Sequence, residues 1–299
     1  MPMPTERNLT RVKERPNGSA CPRCGGGGVL VTPQGARAGA EVCACSARCT
    51  LCNGARYLFE RDAAGRDIAR MCACEVRRVR VRLYNEAGIP AKFCEARLAD
   101  SSLDGDNKQA LLALRTLARE YRAGKKGLLL MGQPGTGKTF LVCAFLHELI
   151  VNRGVAGQFR DFFHLLADLR SGYSQDRPES ELIGPLVDVE VLVIDELGKG
   201  RNTPWEQNIL DVIISHRYNT DKTTVFTTNY TDKHKTTLVE RLRGKDNPAA
   251  EPDVLRDTLR ERIGQRIHSR LLEMCDTIIV GGTDRRGPVP DPDAEDSSR

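Results

Sequence analysis

Gly127-Leu128-Leu129-Leu130-Met131-Gly132-Gln133-Pro134-Gly135-Thr136-Gly137-Lys138-Thr139 is the stretch whose reading decides the fold. A short apolar run, strand-like in length and composition, leads directly into Gly132 to Thr139, which match G-x-x-x-x-G-K-[S/T] at every constrained position. The glycines permit backbone angles that a Cβ forbids, so successive N–H groups can converge on phosphate oxygens. A helix expected from Lys138 onward turns the positive end of its dipole to the same point. In such a cradle Lys138 reaches the β- and γ-phosphates of ATP and Thr139 ligates Mg²⁺.

Outward from this stretch, short buried-type strands alternate with helical patterns. Strands are expected at 127–131, 158–162, 189–194, 223–227 and 277–280, with helices between them at 138–152, 163–173, 204–218 and 256–274. That order predicts a parallel α/β sheet covered on both faces. The strand Val191-Leu192-Val193-Ile194 ends in Asp195-Glu196. An acidic pair after an isolated strand is surface decoration; behind a phosphate loop, Asp195 is placed to hold the Mg²⁺ shell and Glu196 to activate the attacking water. Val225-Phe226-Thr227-Thr228 ends in Asn229, whose amide can orient that water. The helix expected at 256–274 carries Arg256, Arg260, Arg262, Arg266 and Arg270, read chiefly as a solvated face. Phosphoryl transfer also needs a positive group at the developing charge, which a neighbouring subunit can supply. Arg270 and Arg266 are the candidates, and Arg285 or Arg286 after the last strand can touch the same nucleotide.

Eight of the eleven cysteines lie between Cys21 and Cys74, in a repeat. Cys21-x2-Cys24 is followed at a distance by Cys43-x-Cys45, and Cys49-x2-Cys52 by Cys72-x-Cys74 with nearly the same spacing. Such C-x2-C turns bring two thiolates to one ion, and four of them favour a closed, structural Zn²⁺ site, two in this chain. An iron–sulfur cluster could use the same ligands, and spacing alone leaves open whether cysteines pair within or across the units. Cys94, Cys143 and Cys275 stand alone and read as small buried residues.

The formal charge of +5 is uneven: residues 1–100 hold 17 Lys and Arg against 10 Asp and Glu. Two zinc ions on eight thiolates would add −2 each and bring that part from +7 to about +3, an excess that is real but modest and by itself weak evidence for phosphate contacts. A helix is expected over 75–85, with Val76, Val79 and Leu83 on one face and Arg77, Arg78, Arg80 and Arg82 on the others; these arginines either contact DNA or form a solvated linker. A second, 108–121, puts Leu111, Leu114, Leu117 and Tyr121 on one stripe. The chain divides into a flexible arm (1–20), a tandem four-cysteine zinc-binding region (21–74), a basic helix and linker (75–104), an ATPase domain (105–286) and an acidic disordered tail (287–299). No apolar run is long enough to cross a bilayer and no secretory signal is read, so a cytoplasmic address is expected.

These motifs together resemble the AAA+ ATPases of the DnaC/DnaI/IstB group, bacterial helicase loaders and transposition helpers. The resemblance rests on the phosphate loop, Asp195-Glu196-Leu197-Gly198, Thr227-Thr228-Asn229 and Arg262-Ile263-Gly264-Gln265-Arg266-Ile267-His268-Ser269-Arg270, and covers about residues 88–286. It implies Asn229 as sensor one, Arg270 as an arginine finger and Arg285/Arg286 near the sensor-two position. Trp205 and Arg217-Tyr218 also resemble loader residues. The cysteine units before Gly88-Ile89-Pro90 fit loaders better than transposition helpers, although two units, and an inserted-looking stretch at 243–253, depart from the pattern. What the resemblance implies is a loader-like ATPase that assembles head to tail when ATP-bound, contacts single-stranded DNA and grips a replicative helicase. The alternatives are an IstB-like helper on duplex DNA and a zinc-stabilised adaptor switched by ATP with negligible hydrolysis.

Overall fold

The computed structural model describes residues 21–46, 49–99, 107–232, 257–282 and 284–285. The expected arm and tail, the stretch 243–253, Arg256 and Arg286 lie outside them. Nine strands are described. β1 (Val29–Gln34) and β2 (Arg37–Val42) form one antiparallel hairpin, and β3 (Tyr57–Arg61) and β4 (Asp67–Met71) another. β5 (Gly127–Met131), β6 (Gly157–Asp161), β7 (Val191–Asp195), β8 (Thr223–Thr228) and β9 (Cys275–Ile279) make a parallel sheet in the order β6-β7-β8-β5-β9. The phosphate loop follows β5, between β8 and the edge strand β9. β7, whose last residue is Asp195, lies on the other side of β8, and because all three strands run parallel the two motifs come to the same end of the sheet.

Among the described residues eight α-helices accompany the strands: α1 (Ala73–Glu86), α2 (Lys108–Arg119), α3 (Lys138–His147), α4 (Phe162–Ser174), α5 (Glu179–Asp188), α6 (Pro204–Asn219), α7 (Leu259–Ile263) and α8 (Gln265–Met274). Two apolar cores lie on opposite faces of the sheet. One joins Leu111, Leu114 and Leu117 of α2 to Leu141, Phe145 and Leu146 of α3; the other joins Leu165 and Leu169 of α4 to Ile209 and Ile213 of α6 and Leu271 of α8. Helix starts are chemically marked. Asp161 accepts from the His164 amide ahead of α4, and Thr203 and Glu206 form a capping box with Pro204 in the first turn of α6.

Several expected elements are revised. Phe162 opens α4 rather than closing β6. α3 passes into a π-helical turn, Glu148–Arg153, ended by the left-handed Gly154. The arginine-rich helix is two helices, because Gly264 adopts φ 83° and ψ 152° between α7 and α8. α5 is an addition to the expected elements; it carries Pro185 inside. In α1 the buried residues are Cys74, Arg80 and Tyr84, with Leu83 and Val81 packed against the core beside them, so of the expected face Val76, Val79 and Leu83 only Leu83 joins that core. Burial lowers the affinity of the Arg80 guanidinium for its proton, with Arg77 adding repulsion.

The two hairpins are treated differently by the fold. Val29, Ala38 and Ala40 of the first share the apolar core of α2 and α3, and the Ala38 amide donates to Ile89 O at 2.7 Å. The Asn85 amide of α1 grips Ala40 from both sides, accepting at 2.6 Å and donating at 3.1 Å. The second hairpin has its own small cluster of Cys52, Cys72, Cys74, Cys49 and Leu58.

Where α1 meets α3, the Tyr84 and His147 rings stand edge to face with centroids 5.6 Å apart. Burial, with Arg97 adding repulsion, pushes the His147 pKa down to about 3. The unfolded chain therefore takes up a proton at His147 below about pH 6.5 that the folded chain refuses, and stability falls as pH falls from there towards 3, by up to ~1.4 kcal/mol per pH unit. Urea unfolding at pH 7 and pH 5 should show the lower midpoint at pH 5, and His147→Phe should remove part of the difference. A midpoint independent of the His147 substitution at both pH values contradicts this.

Candidate nucleotide and metal sites

The phosphate loop bends where Gly135 has φ 82° and Gly137 has φ 93°. A Cβ at Gly135 would lie 2.1 Å from the Asp284 carboxylate, so the chain after β9 closes directly against the loop. The Arg285 amide donates to Gly135 O at 3.0 Å, which puts Arg285 beside the phosphate loop. From the other side, fully buried Asn107 donates its amide N–H to Thr136 O at 2.6 Å. Lys138 is buried within its own loop, donating to Gly132 O at 2.8 Å and Gln133 O at 2.7 Å. Entering phosphate oxygens would take over these donor groups.

The Thr139 hydroxyl donates to the Asp195 carboxylate, at 2.9 Å to Oδ2 and 3.2 Å to Oδ1. Thr227 donates to Asp195 Oδ1 as well, while its hydroxyl oxygen accepts from the Glu196 amide at 3.0 Å. Burial pushes the Asp195 carboxyl up to about 6, against the hydroxyl donations of Thr227 and Thr139. A hydroxyl and a nearly buried carboxylate, side by side at the mouth of a phosphate loop, form the hard-oxygen donor set suited to Mg²⁺. Glu196 stands at φ 55°, and its Oε2 pairs with the Lys199 ammonium. Asn229 follows β8 immediately and is half-buried.

Thr227, Asn107 and Lys199 belong to this constellation, yet sequence reasoning assigns none of them a role. Thr227 has a usable signal: a hydroxyl on a fully buried strand, beside the Asp195 strand, must find a polar partner. Asn107 reads locally as a helix start, and nothing in its neighbours reveals a reach to Thr136.

Arg270, expected as the finger, is engaged within its own chain. It donates to Asp211 Oδ1 of α6 at 2.9 Å and to the Ser215 hydroxyl, and lies 5.8 Å from the Tyr218 ring centroid. Arg266 pairs with Asp211 at 3.5 Å. Arg217 is structural: fully buried, it donates to Leu186 O, Val187 O and Val189 O, to Thr223 O and to the Thr224 hydroxyl.

The eight cysteines fall into two groups, Cys21/Cys24/Cys43/Cys45 and Cys49/Cys52/Cys72/Cys74, with all sulfurs of each within 4.8 Å of one another. Pairing is thus within units. A tetrahedral site with metal–sulfur bonds of ~2.3 Å has sulfur–sulfur edges of about 3.8 Å; the distances Cys21–Cys43, Cys24–Cys45, Cys49–Cys72 and Cys52–Cys74 are 3.9, 3.5, 3.6 and 3.5 Å. In both units the amide four residues on, Gly28 or Arg56, donates to the second sulfur at 3.3 Å. These donor sets fit Zn²⁺.

The first unit is built into the ATPase core and the second is not, so their loss should differ. Cys43→Ser should lower the unfolding temperature of the ATPase domain by roughly 10 °C or more. Cys72→Ser should remove one zinc equivalent and leave that temperature within a few degrees. Metal analysis and calorimetry on both variants check this; equal destabilisation contradicts it.

A parallel sheet of this order, with a phosphate loop after its fourth strand in space and an acidic pair after its second, defines a P-loop ATPase domain of the AAA+ type. The chain belongs to the IstB-like ATP binding protein family, whose pattern matches residues 67–240, more than half of it. It is 24% identical over 160 residues to the replicative helicase loader DnaC of Escherichia coli (strain K12), covering 53% of this chain and 65% of that one. With YqaM of Bacillus subtilis (strain 168) it shares 27% over 162 residues, 50% of this chain and 51% of the relative. The chain thus spans about half to two thirds of the length of these relatives. A crystal structure of the DnaC helicase loader superposes with a TM-score of 0.52 at 26% identity, covering 64% of this chain and 99% of that one. The chain is homologous to the DnaC/DnaI loaders, and its N-terminal cysteine clusters fit a small zinc-binding region. No helix among the described residues is long and apolar enough to cross a membrane.

Proposed function

We propose that this protein is an ATPase that couples its nucleotide state to loading or releasing a replicative helicase on single-stranded DNA. The observation that carries the reading is the hydrogen-bonded set Thr139–Asp195–Thr227 at the mouth of the phosphate loop, which joins the magnesium-side hydroxyl to the acidic strand end. The likeness to DnaC supports the loader assignment.

In this reading Gly132 to Thr139 wrap the triphosphate, Lys138 neutralises its β- and γ-oxygens, and Thr139 and Asp195 hold Mg²⁺. The bound cation would screen the phosphate charge. Glu196 orients and deprotonates the attacking water once it exchanges Lys199 for that water, and Asn229 fixes the water from the end of β8. Arg270 leaves Asp211 to reach the γ-phosphate held by the next subunit in a head-to-tail assembly, while Arg285 and Arg286 contact the nucleotide in cis. The zinc units hold the N-terminal region, which grips the helicase. Tyr57, Phe59 and Met71 on one face of the second hairpin are exposed by 44%, 76% and 49%, as is Leu51 of the turn before it by 68%, and suit that contact. Contacts of α1 with DNA fall to Arg77, Arg78 and Arg82, since Arg80 is buried.

Two rival readings have specific support. The IstB-like family match favours a transposition helper on duplex DNA. The Lys199–Glu196 pair favours an ATP-switched adaptor that barely hydrolyses. Steady-state phosphate release, measured alone, with single-stranded DNA and with duplex DNA, separates the three. The loader reading expects single strands to change turnover; a response to duplex alone, or no turnover at all, overturns it.

A further inference from the structure

The loop from Glu196 to Asn202 that follows β7 is held by the short helix α7. Arg262, with 14% of its side chain exposed, donates Nε–H to Gly198 O at 3.0 Å and a second N–H to Gly200 O. Its guanidinium lies 5.3 Å from the centroid of the Tyr230 ring, next to Asn229, and pairs with Asp257 at 3.3 Å. Gly198 has φ 87°, and a Cβ there would press on Tyr230 at 3.2 Å and on Arg262 Cβ at 3.3 Å. Asn202 adds a second tie, donating to Glu261 O at 3.1 Å. The segment carrying Glu196 and Lys199 is therefore held from two sides, by Thr227 and Thr228 of β8 at Glu196 and Leu197 and by α7 at Gly198, Gly200 and Asn202, with Glu196 and Asn202 both at positive φ.

α7 continues into α8 through Gly264 alone, and α8 carries Arg266 and Arg270 on Asp211. Any movement of α8 that takes Arg270 from Asp211 is applied at Gly264, one residue beyond the turn that holds Arg262. We infer that Arg262 is a positioning residue for Glu196, setting the carboxylate through Gly198 and Gly200 and coupling it to the engagement of Arg270. A two-pronged guanidinium fork can do this where a single ammonium cannot, since it must serve two carbonyls at fixed separation. The inference rests on the reading of Glu196 as the base and Arg270 as the trans-acting group, and adds a link between them that neither supplies.

The test compares kcat and ATP affinity for wild type, Arg262→Ala, Arg262→Gln, Arg270→Ala and the Arg262→Ala/Arg270→Ala double variant, with thermal melts of each. Arg262→Ala should lower kcat about tenfold or more and leave ATP affinity within about twofold. Arg262→Gln, which keeps one donor and the stem, should fall between, and serves where the alanine variant melts early. Because Arg270 acts partly through Arg262, the double variant should be no slower than the slower single one. Wild-type kcat in both Arg262 variants, or losses that multiply in the double variant, overturns the coupling. Wild-type turnover with an inert Arg270→Ala removes the trans arginine and the coupling, while no turnover in wild type removes the ATPase reading and with it this proposal.

Discussion

Glu196→Gln should keep ATP and lose its turnover. The substitution retains the shape of the side chain and leaves the phosphate loop, Thr139, Asp195 and Thr227 untouched, so nucleotide affinity should stay within a few-fold of wild type. It removes the group that takes the proton from the attacking water, a contribution of typically ~10²–10⁴ in rate. Single-turnover hydrolysis should therefore slow by at least about 100-fold, and the variant should accumulate in its ATP-bound assembly. Lys199→Ala makes the complementary case: it frees Glu196 Oε2 from its ion pair, and the rate should not fall in parallel. A Glu196→Gln protein that hydrolyses at the wild-type rate would place the base elsewhere.

Arg217→Ala should be the most destabilising single change within the ATPase domain. The guanidinium is fully buried and ties the end of α5 and the start of β7 to the start of β8, through carbonyls of Leu186, Val187, Val189 and Thr223. Burial lowers its pKa to about 10, so it remains charged at neutral pH. Truncation leaves those carbonyls without donors and opens a cavity, at a cost of about 3–5 kcal/mol. The melting temperature should drop by roughly 10 °C. Arg217→Lys should recover only part of that, since one ammonium cannot reach carbonyls on both sides of the fork. A loss under about 1 kcal/mol would show that water replaces the donors.

The parts of this protein that are legible in its sequence are those where function needs a fixed local string. The loop Gly132–Thr139 needs its glycines and lysine in consecutive register, and the strand before Asp195 needs an unbroken apolar run. Those constraints survive in one dimension. The cysteine repeat likewise announces two units, but which sulfurs share a site depends on the hairpins folding back between them, and in Val29–Gln34 the strand signal of Val29 to Thr32 is interrupted by Pro33. The inward face of α1 escapes periodicity for a different reason. Arg80 is buried where α1 is covered by the first hairpin and by the π-helical turn after α3, and no periodicity count rewards an arginine at a core position. Gly264 breaks a helix whose arginine spacing continues across it, since periodicity records side-chain character and not the φ of one glycine. Arg262 passes for a surface charge, and Arg217 shows no structural role beyond its likeness to a loader residue, because their partners are chiefly backbone carbonyls, which carry no sequence identity.

Titration calorimetry of the zinc-replete protein with ATP, with and without magnesium, bears most directly on the central claim that Gly132–Thr139 and Asp195 form a triphosphate site. Saturable uptake strengthened by magnesium, and lost in Lys138→Ala protein that still melts cooperatively, is the predicted result. Failure of the wild-type protein to take up ATP under either condition, or undiminished uptake by Lys138→Ala, would contradict it.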